Sequence, residues 1–232
     1  MWDNPRLLNS AAGFLVGIAF LLFALGGAQL VLRSNLFPVR SVVVTTSLIN
    51  ASPEAVETAV RTHSGGNFFA ARIDELRAAL EEVPWVRTVT VRRVWPDALQ
   101  VAVEEHVALA RLGDEALVNT YGERFVAPCE KALPIFVAPA GAEAEVALRY
   151  AAFTRLLEPI GSPVERITLT PRYAWQVQLA NGVQFWLGRD GALAEDRLRR
   201  FMELRPAVFD SARAYDTVDL RYSNGFALRV KG

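Results

Sequence analysis

The sequence predicts an α+β protein carried on a single N-terminal membrane helix. Three observations lead there. No charged residue lies between Arg6 and Arg33. Beyond that stretch, segments with apolar residues at helical spacing alternate with short β-branched runs. From about residue 107 the strands become shorter and are punctuated by turn residues. The expected order is a short tail over 1–12, a transmembrane helix over 13–32, a connector over 33–37, a β-α-α-β-β segment over 38–106, and a mixed α/β segment with an antiparallel sheet over 107–232.

Residues 13–32 read GFLVGIAFLLFALGGAQLVL. About 20 apolar residues at 1.5 Å each span the ~30 Å hydrocarbon core, and a helix satisfies its own backbone there. Gly13 and Gly17 form a small-xxx-small pair, suited either to a partner helix or to lipid. The rival reading is a cleavable signal peptide, for which Gly26 and Ala28 offer a cleavage spacing. The apolar run is longer than a signal core and continues through Gln29-Leu30-Val31-Leu32, which favours an uncleaved anchor. Arg6 on one side is balanced by Arg33 and Arg40 on the other, so charge does not orient the helix.

Composition narrows the function classes. With 25 basic and 25 acidic side chains the net charge is zero, and no basic stripe suggests nucleic acid. Mean hydropathy is +0.19, high for a soluble chain, and the apolar stretch explains much of it. The one cysteine, Cys129, forbids an internal disulfide. Together with His63 and His106 it offers too few ligands for a metal site of the usual kind.

After the connector, VRSVVVTT over 39–46 reads as a strand. Ser52-Pro53-Glu54 starts a helix, with a capping hydroxyl, a proline suited to the first turn and an acid at the positive dipole end. His63-Ser64-Gly65-Gly66-Asn67 ends it. Ile73, Leu76, Ala79 and Leu80 give a second helix over 71–82, stopped by Pro84. RTVTVRRV over 87–94, the turn Trp95-Pro96-Asp97, and alternating Leu99, Val101 and Val103 make two paired strands. The two helices can cover one face of a three-stranded sheet.

This arrangement resembles a POTRA domain. FPVRSVVV just after a membrane helix, followed by LEEVPWVRTVTVRRVWPDALQVAVEEHVALARL, resembles the FtsQ/DivIB family of bacterial cell-division proteins. Val83-Pro84-Trp85-Val86, Trp95-Pro96-Asp97 and Glu105-His106 carry the likeness over about 65 residues.

Later elements are strands at 108–112 and 116–119, the turn Tyr121-Gly122-Glu123, and irregular connections marked by Pro128, Pro134 and Pro139. A helix over 143–157 and a strand over 167–170 follow, then a hairpin over 175–187 turned by Asn181-Gly182. The last elements are a helix over 193–204 and strands over 217–222 and 226–230. Trp175 and Trp186 read as core. This half also resembles the family, through Leu187-Gly188-Arg189, Arg200-Phe201-Met202-Glu203-Leu204, Val218-Asp219-Leu220-Arg221-Tyr222 and Gly225-Phe226-Ala227. The chain departs from the family pattern in its short tail. It also has Arg229-Val230 where the last strand often carries an aromatic.

No nucleophile elbow, zinc-protease helix, Walker loop or dinucleotide fingerprint is present. Glu104 and Glu105 are neighbours on a strand and point to opposite faces, so they cannot act as a pair. The resemblance implies a non-catalytic scaffold without cofactor, metal, nucleic acid or small-molecule substrate. It implies a cytoplasmic tail, a single-pass anchor in the bacterial inner membrane, and periplasmic bulk at the division septum. It further implies that the FtsB–FtsL pair binds by strand addition at an open C-terminal edge strand, and that the POTRA domain serves recruitment, with FtsK as a further partner. The implied contact residues are Arg172, Arg221, Tyr222, Ser223, Asn224, Gly225, Phe226, Ala227, Leu228, Arg229 and Val230. Two other classes stay open. A POTRA-containing outer-membrane assembly or secretion component would carry a long β-barrel. An anchored periplasmic enzyme would need a cleft with a perturbed titrating group.

Overall fold

In the computed structural model, which describes residues 5–33, 37–208, 215–222 and 225–230, the chain begins with helix α1, Pro5–Arg33. Its segment Asn9–Val31 has 23 residues, is long and apolar enough to cross a membrane, and is not buried inside the protein. At 1.5 Å per residue it reaches ~35 Å, against a hydrocarbon core of ~30 Å. The chain divides between two compact units, Met1–Glu105, which includes α1, and His106–Gly232.

The first unit has the expected order: β1 (Ser41–Val44), α2 (Pro53–His63), α3 (Ile73–Glu81), β2 (Val86–Val94) and β3 (Ala98–Glu105). The sheet order is β1-β3-β2, with β1 parallel and β2 antiparallel to β3. Ser52 caps α2, its Oγ accepting from the Ala55 N–H at 3.3 Å. Val56, Leu76 and Leu80 are buried with Val89, Leu99, Val101 and Val103 of the sheet. Apolar positions at helical spacing thus meet apolar positions at strand spacing. Trp85, between α3 and β2, buries its ring although its backbone is left-handed, at φ 73°. A non-glycine residue there costs about 1–2 kcal/mol, which burial of the ring offsets.

Glu105 ends β3 and holds the loop between β1 and α2. Its carboxylate accepts from the backbone N–H groups of Ile49 (2.9 Å), Asn50 (2.9 Å) and Ala51 (3.0 Å), and from Asn50 Nδ2 (3.1 Å). Burial opposes ionisation, but these hydrogen bonds outweigh it and hold the carboxyl below its ordinary value. A depressed folded pKa gives stability that is present above the unfolded value and lost as pH falls. Glu105→Gln is therefore expected to destabilise the first unit at neutral pH. The difference from wild type should shrink below about pH 4.3, where the unfolded carboxyl itself protonates. Urea unfolding at a series of pH values checks this; a difference independent of pH would refute it.

The second unit runs β4 (Ala108–Leu112), β5 (Ala116–Asn119), β6 (Arg124–Phe125), β7 (Ile135–Val137), α4 (Glu143–Leu157), β8 (Val164–Leu169), β9 (Trp175–Leu179), β10 (Gln184–Gly188), α5 (Gly191–Val208), β11 (Tyr215–Asp219) and β12 (Ala227–Val230). One sheet contains all the strands, in the order β12-β11-β10-β9-β8-β7-β4-β5-β6. It is mixed rather than purely antiparallel: β4–β7, β7–β8 and β10–β11 run parallel. The reason lies in the connections. Helix α4 is the crossover between β7 and β8, and α5 the crossover between β10 and β11, as parallel neighbours require. Val146, Phe153, Leu157, Leu198 and Phe201 from these helices share a core with Phe136, Ile167, Trp175, Val177 and Phe185 from the strands. The alternating residues Arg166, Thr168, Gln176 and Gln178 stay partly exposed. Strand β7, which the sequence left as an irregular connection, lies between β4 and β8.

Candidate partner-binding edge

Two devices build the β12 end of the sheet. Asp190 caps α5, its Oδ1 accepting from the N–H groups of Ala192 (2.9 Å) and Leu193 (3.1 Å). An aromatic relay then ties the start of β12 to the core. Phe226 meets Phe201 edge-on at 5.3 Å, and Phe201 meets Phe185 at 5.8 Å. Phe226 and Leu228 pack on the core, while Ala227 and Arg229 are exposed, as strand alternation requires. On one side β12 pairs antiparallel with β11, joining Thr217 to Arg229, Val218 to Leu228 and Asp219 to Ala227. It is the terminal strand of the sheet, so among the described residues its other side has no strand partner. Such an edge presents unpaired N–H and C=O groups.

A cavity of about 360 Å³ lies beside this edge, lined by Arg197, Arg200, Phe201 and Leu204 of α5 together with Leu220, Tyr222, Gly225 and Phe226. Tyr222 is 59% exposed at its rim. The α5 residues are not among the contact residues that the resemblance implies. Their spacing, i, i+3, i+4 and i+7, marks one helix face and was the available signal.

Two of the candidate site's three arginines, Arg221 and Arg229, are engaged within the chain. Arg221 grips Asp219, with Nη2 to Oδ2 at 2.6 Å and Nε to Oδ1 at 2.9 Å. The hydrogen bond from Arg221 holds the Asp219 carboxyl below its ordinary range, against a smaller opposing effect of burial. The Arg221 guanidinium also lies 4.7 Å from the centre of the Trp186 ring. Trp186 is half-buried rather than core, whereas Trp175 is 1% exposed. Across the last strand pair, Arg229 Nε donates to Asp216 Oδ1 at 2.9 Å and depresses that carboxyl likewise.

Arg172 sits in the turn between β8 and β9, exposed and with no ion pair among the described residues. The neighbouring Tyr173 adopts a left-handed backbone, at φ 57°. The register places Trp175 opposite Gly188 and Trp186 opposite Asp219. The turn holding Arg172 therefore lies at the same end of the sheet as Tyr222 and Gly225. Strand β9 is three positions from β12, roughly 14 Å at the usual strand spacing. Ser223 and Asn224 lie outside the described residues. No group of three or more metal-ligating side chains occurs among the described residues.

Two family models match consecutive parts of the chain: the FtsQ-type POTRA domain over residues 37–106, and the C-terminal domain of cell division protein FtsQ/DivIB over 108–221. The cell division protein FtsQ of Burkholderia pseudomallei (strain K96243) is 38% identical over 238 residues, covering 100% of this chain and 95% of that protein. The chain belongs to the FtsQ family. The FtsQ of Nitrosospira multiformis is 38% identical over 235 residues, with 99% of each chain covered. That of Neisseria gonorrhoeae (strain ATCC 700825 / FA 1090) is 32% identical over 231 residues, covering 99% of this chain and 95% of the relative.

The POTRA expectation drawn from the Val83-Pro84-Trp85-Val86 and Trp95-Pro96-Asp97 wording thus holds. The FtsQ C-terminal match spans the sheet from β4 to Arg221 and stops before β12. Of the candidate residues, Arg172 and Arg221 fall within the FtsQ match, and Tyr222 to Val230 follow it.

Proposed function

We propose that this FtsQ-family chain is a non-catalytic scaffold of the bacterial division machinery, linking early and late division proteins. In this reading 1–12 is a cytoplasmic tail and 13–32 the single inner-membrane helix. Residues 33–37 connect it to a periplasmic POTRA domain over 38–106 and a C-terminal β domain over 107–232, which work at the septum. The POTRA domain serves recruitment, with FtsK among its contacts. The FtsB–FtsL pair adds a strand to β12.

The observation that carries the reading is the outer side of β12, without a strand partner among the described residues, beside a cavity rimmed by Tyr222. Strand addition supplies main-chain hydrogen bonds and leaves specificity to side-chain pockets. Each such bond contributes only ~1 kcal/mol net, so an anchor in the cavity has to add to them. Arg172, exposed at the same end, offers a charge to a partner carboxylate.

Co-expression with membrane partners of the FtsB and FtsL type tests this. Wild type is expected to capture them, and Tyr222→Ala to weaken capture at least tenfold, which corresponds to ~1.4 kcal/mol. Because Tyr222 is exposed, the variant should keep the wild-type fold by circular dichroism. Undiminished capture by the folded variant moves the site off this edge. No capture by wild type counts against the scaffold role itself.

A further inference from the structure

The end of the first unit where the chain enters from α1 carries an aromatic and cationic surface that the fold does not use. Phe37 is 43% exposed and meets Phe69, 46% exposed, edge-on at 5.5 Å. The Phe68 N–H donates to the Phe37 carbonyl at 2.7 Å, so the turn before α3 is tied to the point of entry. The β2–β3 hairpin tip lies at the same end. The Arg40 N–H donates to the Asp97 carbonyl at 2.9 Å, and Arg93 Nε donates to the Phe68 carbonyl at 3.0 Å. That tip presents Trp95, 79% exposed, next to Val94, 43% exposed. Arg92 beside them is exposed and has no ion pair among the described residues. A single exposed apolar residue needs no explanation, but four at one end beside an unpaired arginine do.

Chain connectivity says what this end faces. Phe37 follows Val31, the last residue of the apolar span, by six positions. Six extended residues cover at most ~21 Å. The headgroup layer itself occupies roughly 5–8 Å on each side of the hydrocarbon. Tryptophan with its polar ring edge, phenylalanine on the acyl side, and arginine are side chains suited to that boundary.

We propose that this end docks on the bilayer that holds α1. Trp95 and Phe69 enter the boundary between headgroups and acyl chains, and Arg92 faces anionic lipid phosphates, joined by the 75%-exposed Arg40 beyond its 3.5 Å ion pair with Asp97. The first unit is then held at two points, by its tether and by its hairpin tip, which fixes its tilt on the membrane. The inference rests on α1 spanning the bilayer, and it is independent of the β12 edge.

The test uses the full chain reconstituted into vesicles of phosphatidylcholine and phosphatidylglycerol. Subtracting the fluorescence of the Trp95→Phe variant isolates the Trp95 emission. That emission is expected to be blue-shifted, shielded from aqueous iodide, and largely lost when lipids brominated near the carboxyl end of the acyl chain are used. Arg92→Gln, or vesicles without phosphatidylglycerol, should lessen the loss; equal quenching in both lipid mixtures overturns the role given to the arginines. Trp95 emission fully open to iodide and indifferent to brominated lipid overturns the docking and leaves the patch to a protein partner. An alkaline wash separates the two readings. A chain stripped from the vesicles overturns the anchor and the docking together, while a retained chain with Trp95 in water overturns the docking alone.

Discussion

Trp175→Ala is expected to destabilise the second unit by about 3–5 kcal/mol, the range for removing a large buried aromatic. Trp175 is 1% exposed and meets Phe153 of α4 edge-on at 5.7 Å. It opens β9, opposite Gly188 of β10 and Leu169 of β8, so its ring fills the space where α4 crosses the centre of the sheet. Neighbours on two rigid strands and a helix cannot close the vacated space, which places the cost high in the range. The melting temperature should fall by more than ~10 °C for a unit of this size. Urea unfolding followed by circular dichroism measures it, and a loss below ~1.5 kcal/mol would contradict the packing described. The same ring stands three residues from Arg172, so the variant should also loosen the turn at the candidate edge.

Gly122→Ala is expected to cost about 2–4 kcal/mol, for two separable reasons. Gly122 has φ +80°, a conformation that costs an L-residue about 1–2 kcal/mol. A Cβ there would also stand 2.3 Å from Ala144 Cα and 2.8 Å from Ala144 Cβ, at the first turn of α4. That neighbour is backbone and cannot swing aside, so overpacking adds about 1–3 kcal/mol. The turn cannot yield either. Asn119 Oδ1 accepts from the N–H groups of both Tyr121 (2.9 Å) and Glu123 (2.8 Å), and the Gly122 N–H donates to the Asn119 carbonyl at 3.0 Å. Gly182→Ala is the control: its φ is +89°, but a Cβ there meets nothing within 4 Å. It should show the conformational cost alone. Equal losses for the two variants would mean that the approach to α4 is not limiting.

Much of the fold could be read from the sequence because local signals agreed with tertiary packing. The capped start at Ser52, the 3,4 spacing of Ile73, Leu76 and Leu80, and the alternation at Leu99, Val101 and Val103 each named an element and its buried face. Helix 143–157 was bounded correctly by its apolar spacing and by Pro159. Strand β7 escaped because Ile135, Phe136 and Val137 stand between Pro134 and Pro139. Three residues show no alternation, and only parallel neighbours from distant parts of the chain make them a strand. The apolar spacing over 193–204 marks helix α5 two residues short at its start, where Asp190 supplies the cap, and four short of its end at Val208.

At the candidate edge, the strand and its aromatic start were legible, but the cavity beside it was not. The cavity needs α5 and the chain end side by side, which no local pattern encodes. For Glu105, alternation gives only that it points away from the face of Glu104. The loop that wraps its carboxylate comes from more than fifty positions earlier.

Asp216 and Asp219 already occupy Arg229 and Arg221. An acidic side chain arriving at Arg221 or Arg229 must displace a resident carboxylate, so charge pairing at those two positions is an exchange in which one ion pair replaces another. The free energy released is a difference between two similar contacts, and salt should weaken both in proportion. Tight binding at such an edge has to come from backbone groups and the apolar cavity. Charge acts instead as a filter: an acidic visitor finds a ready exchange, while a basic one meets two cations and must give up its own water without a free counter-charge.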